Sequence, residues 1–181
     1  MPRHFLVLFG LCVFCIPSCD LSAPEECNAP VPDTVTLFDQ ARGGTNLVLE
    51  VESGSGAGST VIRSNASEQT TVLLKRNESR TLKITVPVAG NYEIRLAYSN
   101  DGPNTEDEAE ITVNGQVRTA RLADTRRNCA AGQGWNRIYT AGPLAPTVLL
   151  SSGDNTVTLK LTTADEFGCE FDALLFFSAG N

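Results

Sequence analysis

The sequence predicts an all-β fold, an antiparallel β-sandwich of jelly-roll type. Short β-branched runs bounded by turn residues recur along the 181-residue chain, and no helical period of apolar residues continues over the dozen or so positions that a helix needs. About ten such strands are enough to fill two packed sheets. The predicted strands are Thr34–Phe38, Asn46–Glu52, Thr70–Leu74, Arg80–Val86, Asn91–Ser99, Glu108–Val113, Gln116–Leu122, Trp135–Thr140, Thr147–Leu150, Asn155–Thr162 and Cys169–Phe177.

The alternation of side chains indicates how these strands are buried. Leu82, Ile84 and Val86 share one face of their strand, as expected where one face packs inward and the other meets water. The last run, Glu170–Phe177, is apolar on both faces except at Asp172. This pattern is typical of a central strand between two layers.

Composition and charge exclude several classes of function. The chain carries 14 Lys and Arg against 21 Asp and Glu, a formal net charge of -7, so nucleic acid is not expected as a partner. His4 is the one histidine, and it lies in a segment predicted to be removed. A catalytic site that needs imidazole is therefore excluded, and the composition favours binding over catalysis.

The N-terminal segment is typical of an export signal, predicted over residues 1–18. A short basic stretch precedes the apolar run Phe5–Ile16, which is too short for a transmembrane anchor of about 20 residues. No later stretch is long enough either. The proline-rich residues 19–33 are predicted as an extended tether, and residues 34–181 as the folded domain. The protein is thus expected to be secreted, or to be a cell-envelope lipoprotein.

Cys19 has two possible fates. The preceding Ile16–Ser18 resembles a bacterial lipobox, in which Cys19 would be the lipidation site; ordinary cleavage would instead leave a thiol. Removal of the signal peptide leaves four cysteines, which favours two disulfides. Lipidation of Cys19 would leave three, so that one thiol would be unpaired. Three connectivities are possible, of which we favour Cys19–Cys27 with Cys129–Cys169. Cysteine parity thus argues mildly against a lipid anchor, and the lipobox argues for it.

Three acidic residues stand in unusual places. Glu50 and Glu52 are two residues apart in a predicted strand, where side chains share a face about 7 Å apart and repel each other. Asp172 interrupts the apolar last strand and needs a partner if it is buried. Calcium would bind such oxygen ligands if the first and last strands were neighbours. The alternative for Glu50 and Glu52 is a solvated strand face, which is the commoner position for Glu. The alternative for Asp172 is a solvent-exposed strand end.

The order of six segments resembles family 35 and family 6 carbohydrate-binding modules. None of them is specific alone, but together they cover the chain from about Asn46 to Phe177 in the order and spacing of those families. The segments are Leu49–Glu52, Val86–Asn100, Ile111–Gly115, Gly134-Trp135, Gly153–Leu159 and Glu170–Leu174.

This resemblance implies a galactose-binding-like β-sandwich with a structural calcium. In these families, an E-x-E pair on an early strand and an aspartate on the final strand are calcium ligands. The matching residues are Glu50, Glu52 and Asp172.

The resemblance also implies a carbohydrate site in the loops at one end of the sandwich. The positions that match are Tyr98, Asn100 and Trp135, to which we add Arg137 and Glu170 as polar contacts. Aromatic rings pack against the C–H faces of sugars, and planar polar side chains bond their hydroxyl groups. Many family members have Asn where this chain has Glu170. Simple core packing is the alternative for Tyr98 and Trp135.

These features predict an exported, non-catalytic module that binds a polysaccharide or glycan. One alternative is a small polysaccharide-active enzyme that uses Glu50 and Glu52 as paired carboxylates, about 5–9 Å apart. The other is a structural or interaction β-sandwich that binds no sugar.

Overall fold

The computed structural model describes residues 27–102, 106–127 and 129–180. Over these ranges the predicted all-β sandwich is confirmed, although one helix precedes it. The predicted signal peptide and Cys19 lie outside the described residues. The elements are α1 (Pro32–Ala41), β1 (Leu47–Glu50), β2 (Ser55–Gly56), β3 (Ser59–Ile62), β4 (Thr70–Leu74), β5 (Ser79–Val86), β6 (Gly90–Ser99), β7 (Asp107–Val113), β8 (Gln116–Leu122), β9 (Tyr139–Leu150), β10 (Gly153–Thr163) and β11 (Cys169–Ser178).

Two antiparallel sheets pack face to face around one apolar core. The first sheet has the order β3-β4-β11-β6-β9, with β1 also paired to β11, and the second has the order β2-β5-β10-β7-β8. Alternate apolar side chains from both sheets fill the space between them, as sandwich packing requires. Fully buried members of this core include Val72, Leu74, Ile94, Leu96, Ile111, Val113, Leu159, Phe171, Leu174 and Phe176.

β11 is the central strand that the apolar run predicted. It pairs with β6 on one side and with β1 and β4 on the other, so the first and last strands of the sandwich are neighbours. Its pairing with β6 shifts register between Phe171 and Leu174, where β11 carries one extra residue. Such an irregularity redirects side chains locally, and Asp172 lies within it.

The prediction of a strand at Thr34–Phe38 is wrong, because this segment lies in α1. Thr34, Phe38 and Ala41 are the buried residues of this ten-residue helix, at the spacing of one helical face. Phe38 and Ala41 pack against Ala173 and Leu175 of β11, on the outer face of the first sheet. The apolar period covers only two turns, too short to stand out in the sequence. The helix begins inside the segment predicted as a tether.

The strand prediction for the segment that follows α1 also needs correction. The strand predicted at Asn46–Glu52 ends at Glu50, and a 3-10 turn follows at Val51–Ser53. Glu50 and Glu52 are therefore not two residues of one regular strand. The short strands β2 and β3 were not predicted, because they have only two and four residues and are mostly exposed.

The strand predicted at Trp135–Thr140 begins later than expected. Trp135 lies in a 3-10 turn at Gly134–Asn136, and β9 starts at Tyr139. β9 then continues through Pro143 and Pro146 into the predicted strand Thr147–Leu150. Proline interrupts the sequence pattern of a strand, but β9 is the outermost strand of its sheet, where proline is tolerated.

Both predicted disulfide pairings are wrong. Cys27 is bonded to Cys129, 102 residues away in sequence, so Cys27 is not available to Cys19. Cys169 is a buried free thiol whose sulfur lies 3.3 Å from the carbonyl oxygen of Ser99. It faces the core at the start of β11, whereas Cys129 lies in the loop that the N-terminal segment approaches. The even number of cysteines therefore no longer argues against a lipid anchor at Cys19.

We expect peptide mapping of the unreduced protein to recover a Cys27–Cys129 cross-linked peptide, with Cys169 alkylated only after denaturation. Cys129→Ser should lower the free energy of unfolding by about 4 kcal/mol, because the disulfide closes a long loop in the unfolded chain. Cys169→Ala serves as the control that leaves the cross-link intact. Recovery of a Cys129–Cys169 peptide would contradict the assignment.

Candidate functional site

The loop between β3 and β4, residues 63–69, is held on β11 by two buried carboxylates. Glu170 accepts two hydrogen bonds from the Arg63 guanidinium, at 2.7 and 2.5 Å, and a third from the Thr71 hydroxyl at 2.8 Å. Asp172 accepts from the backbone N–H and the hydroxyl of Ser67, each at 3.1 Å to Oδ1. Both acids are thereby bonded within a strand that is buried on both faces.

The same loop brings the three predicted metal ligands into one region. Besides Asp172, the Ser67 hydroxyl also contacts Glu50, with Oγ 2.5 Å from Oε2. Glu52, on the 3-10 turn after β1, accepts a hydrogen bond from Thr70 at 3.0 Å through Oε1. Its second oxygen, Oε2, is buried and has no hydrogen-bond partner among the described residues.

Electrostatics in this region disfavours three charged carboxylates. Burial raises the pKa of Asp172 to about 7, and the nearby Glu50 and Glu52 add to the rise. Burial also raises the pKa of Glu50, again with a contribution from Glu52. A cation bound here would reverse both effects.

The residues present fit a hard cation by their chemistry. All donors are oxygens, one of them is buried without a partner, and the carboxylates repel one another. Over the described ranges, however, no three acidic, His or Cys side chains are already gathered as a metal-binding group. The assignment of Glu50, Glu52 and Asp172 as metal ligands stays a prediction.

Trp135 lies at the end of the sandwich where loops from both sheets meet. Its 3-10 turn is anchored through Gly134, whose N–H donates to Asp101 at 3.1 Å and whose carbonyl accepts from Ser99 at 3.1 Å. The Arg63 guanidinium lies over the Trp135 ring, 6.0 Å from its centroid. The Glu170–Arg63 pair therefore supports one face of the tryptophan.

Two open cavities meet at the half-buried Trp135 ring. One, of 350 Å³, is lined by polar loop residues together with Ile62 and Arg63. The other, of 330 Å³, is mostly apolar and is lined by Asp101, Arg126, Ala131, Gly132, Trp135 and Phe167. Phe167 is 49% exposed and lines this second cavity, so its ring is accessible to a ligand there.

Three of the five predicted sugar contacts are buried in this structure. Tyr98 donates to the Ala123 carbonyl at 3.3 Å, and Asn100 is fully buried and bonded to the backbone of Leu122 and Gly102. Glu170 is the partner of Arg63 described above. These side chains form the floor beneath the loops rather than an exposed surface.

Arg137, another of the five predicted sugar contacts, lines neither of the Trp135 cavities. Its guanidinium donates to the Tyr139 hydroxyl at 2.9 Å and stacks on that ring. Of the predicted sugar contacts, Trp135 alone lines these two cavities, and Arg137 lines a third cavity of 530 Å³.

Sequence analysis missed Phe167 and Arg63 at this site. Phe167 lies in a short loop before β11, where a lone aromatic residue carries no periodic signal. Arg63 follows β3, a strand that was not predicted. An aromatic residue in a polar loop was the one signal that could have identified Phe167.

A separate acidic group lies below the same loops. Asp107, at the start of β7, is fully buried, and neither of its carboxylate oxygens has a hydrogen-bond partner among the described residues. Asp165 also has one buried unpaired oxygen. Burial raises the pKa of Asp107 to about 6, and the negative charge of Asp165 adds to the rise. Asp107 is thus destabilising when it is charged.

Comparison with known proteins identifies the fold. No protein-family model and no curated protein matches the sequence. Among solved structures, a family 35 carbohydrate-binding module from Clostridium thermocellum aligns with a TM-score of 0.59 and 19% identity, over 75% of this chain and 100% of that chain. A structure described as Xyl-CBM35 in complex with a glucuronic acid containing disaccharide aligns at 0.56 and 19%, over 74% and 94% of the two chains.

An enzyme also contains a domain of this shape. The exo-β-1,3-galactanase of Phanerochaete chrysosporium aligns at a TM-score of 0.56 and 19% identity, over 74% of this chain but 30% of the enzyme chain. The domain described here therefore has the fold of a family 35 carbohydrate-binding module, and the resemblance inferred from the sequence is confirmed at the level of the fold.

We expect Asp107→Asn to stabilise the protein in a pH-dependent manner. The folded-state pKa of Asp107 is raised from 3.8 to about 6, so its charged form opposes folding above that range. In EDTA, the gain in unfolding free energy should be near zero at pH 4 and rise to about 2–3 kcal/mol above pH 7. Urea denaturation at several pH values measures this. Asp39→Asn, at an exposed position on α1, is the control; a gain for Asp107→Asn that does not depend on pH would contradict the account.

Proposed function

We propose that this protein is a non-catalytic carbohydrate-binding module that holds glycans in the cleft around Trp135. The observation that carries the proposal is the half-buried Trp135 ring, which stands between two open cavities at the loop end of a family-35-like sandwich. Binding sites of this fold class lie in loops on a rigid scaffold, because loops can vary while the sheets hold them in place.

The cleft between Trp135 and Phe167 suits one or two sugar rings. Its volume of 330 Å³ lies at the small end of the range for ligand pockets. The two aromatic side chains offer apolar surface for C–H groups, and Arg126 offers donors for hydroxyl oxygens. Arg126 is itself held near Asp101 and Asp124, with N–O separations of 3.9 and 3.6 Å.

The geometry favours binding over hydrolysis. A glycosidase of the usual kind needs two carboxyl groups facing the scissile bond. Among the described residues that line the Trp135–Phe167 cleft, Asp101 is the one acid, and its Oδ2 is engaged by Gly134. Glu50 and Glu52, the pair considered for catalysis, contact Ser67 and Thr70 and line neither Trp135 cavity.

We also propose that Glu50, Glu52 and Asp172 hold a structural calcium. Calcium would supply positive charge beside Glu50 and Asp172, whose pKa values are raised by burial and by the neighbouring acidic groups. These residues belong to β1, the following turn and β11, and Ser67 joins them to the β3–β4 loop. Occupancy of the site would therefore stabilise the loop that also carries Arg63.

Export and anchoring form a further part of the proposal. The basic and apolar pattern of residues 1–18 supports a signal peptide, and the lipobox-like residues before Cys19 support a lipid anchor. The Cys27–Cys129 disulfide is consistent with an oxidising compartment. On this proposal the module acts outside the cytosol, as a secreted protein or as a cell-envelope lipoprotein.

We expect Trp135→Ala and Phe167→Ala each to weaken glycan binding by about tenfold or more, because both remove aromatic surface from the centre of the cleft. A glycan array in calcium buffer identifies a ligand, and calorimetry measures the affinities. Leu149→Ala, at a 56% exposed position on β9, is the control for loss of an exposed apolar side chain. Retained affinity in both cleft variants, with unchanged melting temperatures, would contradict the proposed site.

We expect EDTA to lower the melting temperature and added calcium to restore it, because a ligand that binds only the folded state stabilises it. Glu52→Gln should abolish the response to calcium while leaving the fold intact. Glu110→Gln, on β7, is the matched control and should respond as the unaltered protein does. A melting temperature that is insensitive to both EDTA and calcium would refute the calcium site.

A further inference from the structure

A further cavity lies away from the Trp135 cleft, between the N-terminal segment and the start of β9. Its volume is 530 Å³, within the usual range of small-molecule sites. Residues 29–34 line one side, and Arg127, Arg137, Tyr139 and Thr140 line the other. The Cys27–Cys129 disulfide joins these two sides close to the cavity, since Cys27 and Cys129 lie two residues from residue 29 and from Arg127.

Two guanidinium groups converge on one aromatic ring in this cavity. The Arg127 and Arg137 Cζ atoms lie 4.9 and 5.7 Å from the Tyr139 ring centroid. Neither arginine forms an ion pair with any acid among the described residues, whereas Arg63, Arg95, Arg121 and Arg126 each do. Four other described arginines also lack an acidic partner, so the distinctive feature of Arg127 and Arg137 is that both guanidinium groups lie over the same ring.

One nitrogen atom of the two guanidinium groups is buried away from water. The Arg137 Nε is buried and has no hydrogen-bond partner among the described residues, although the Nη2 of the same side chain bonds to Tyr139. A buried unpaired donor on a charged group is costly, and an anion is the partner that would satisfy it best. Tyr139 holds the Arg137 guanidinium in place, so little ordering is needed when an anion binds.

The first turn of α1 adds to the positive potential. Val31–Thr34 line the cavity, and the helix has no side-chain cap at Val31. Pro32 has no N–H, so the N–H groups of Asp33 and Thr34, together with the helix dipole, are what favour an anion there. Asp33 is the one described acid in the lining; it is exposed and opposes binding, so the cavity carries two positive side chains against one negative.

We propose that this cavity is an anion-binding site that takes a compact oxyanion, a carboxylate or a phosphate group, between Arg127, Arg137 and the start of α1. Guanidinium groups match both oxyanions through paired N–H donors. The site is distinct from the Trp135 cleft and does not depend on glycan binding there. The anion could belong to an acidic sugar or to a free small molecule, and the experiment separates these sources.

The test is an NMR titration of the full, disulfide-linked protein with three probes: sodium phosphate, D-glucuronate and the neutral methyl glucoside. We expect phosphate and glucuronate to shift the side-chain N–H signals of Arg127 and Arg137 saturably, and methyl glucoside to leave them unchanged. The Trp135 indole signal, which reports on the other cleft, should not follow the phosphate titration. Tighter binding of glucuronate than of phosphate would assign the anion to an acidic sugar, and the reverse order to a free anion.

Variants make the assignment specific. Arg127→Gln, at an exposed position, should weaken anion binding by about tenfold without lowering the melting temperature, and Asp33→Asn should strengthen it. Arg121→Gln removes the same charge from another exposed arginine and should have no effect. Absence of saturable shifts for both anions, or equal weakening by Arg121→Gln and Arg127→Gln, would overturn the proposal.

Discussion

The architecture depends on two carboxylates that β11 places inside a strand buried on both faces. A buried acid must be bonded, and the β3–β4 loop supplies the partners for both. Arg63 and Thr71 bind Glu170, and Ser67 binds Asp172. Because Arg63 also lies over the Trp135 ring, this short loop connects the interior of the sheet to the cleft beside Trp135.

The negative charges of Glu170 and Asp172 are neutralised to different extents, and this difference indicates different roles for the two residues. Glu170 faces a guanidinium in a bidentate pair, so its charge is neutralised within the protein. Asp172 has only a hydroxyl and an amide as partners, and burial, with a smaller contribution from its acidic neighbours, raises its pKa to about 7. The first arrangement is complete without a ligand and serves to position Trp135. The second lacks positive charge, which is why a cation fits there.

Alternation and turn residues predicted most of the sandwich because those signals are local. They failed for α1, whose two helical turns show too short a period, and for β9, whose prolines resemble a strand break. The pairing of Cys27 with Cys129 depends on how the N-terminal segment folds back, which sequence spacing does not reveal. Trp135 lies in an end loop although the predicted strand began there, whereas Tyr98 on β6 and Asn100 directly after β6 are buried.

The most direct test of this account is the behaviour of the sole tryptophan, Trp135, when its support is removed. In Glu170→Gln, provided that circular dichroism shows a folded protein, we expect the tryptophan emission to move to longer wavelength and glycan affinity to fall about tenfold. Glu93→Gln, which breaks the more exposed Glu93–Arg95 ion pair, is the matched control and should change neither. Unchanged emission and unchanged affinity in folded Glu170→Gln would show that β11 does not hold the cleft.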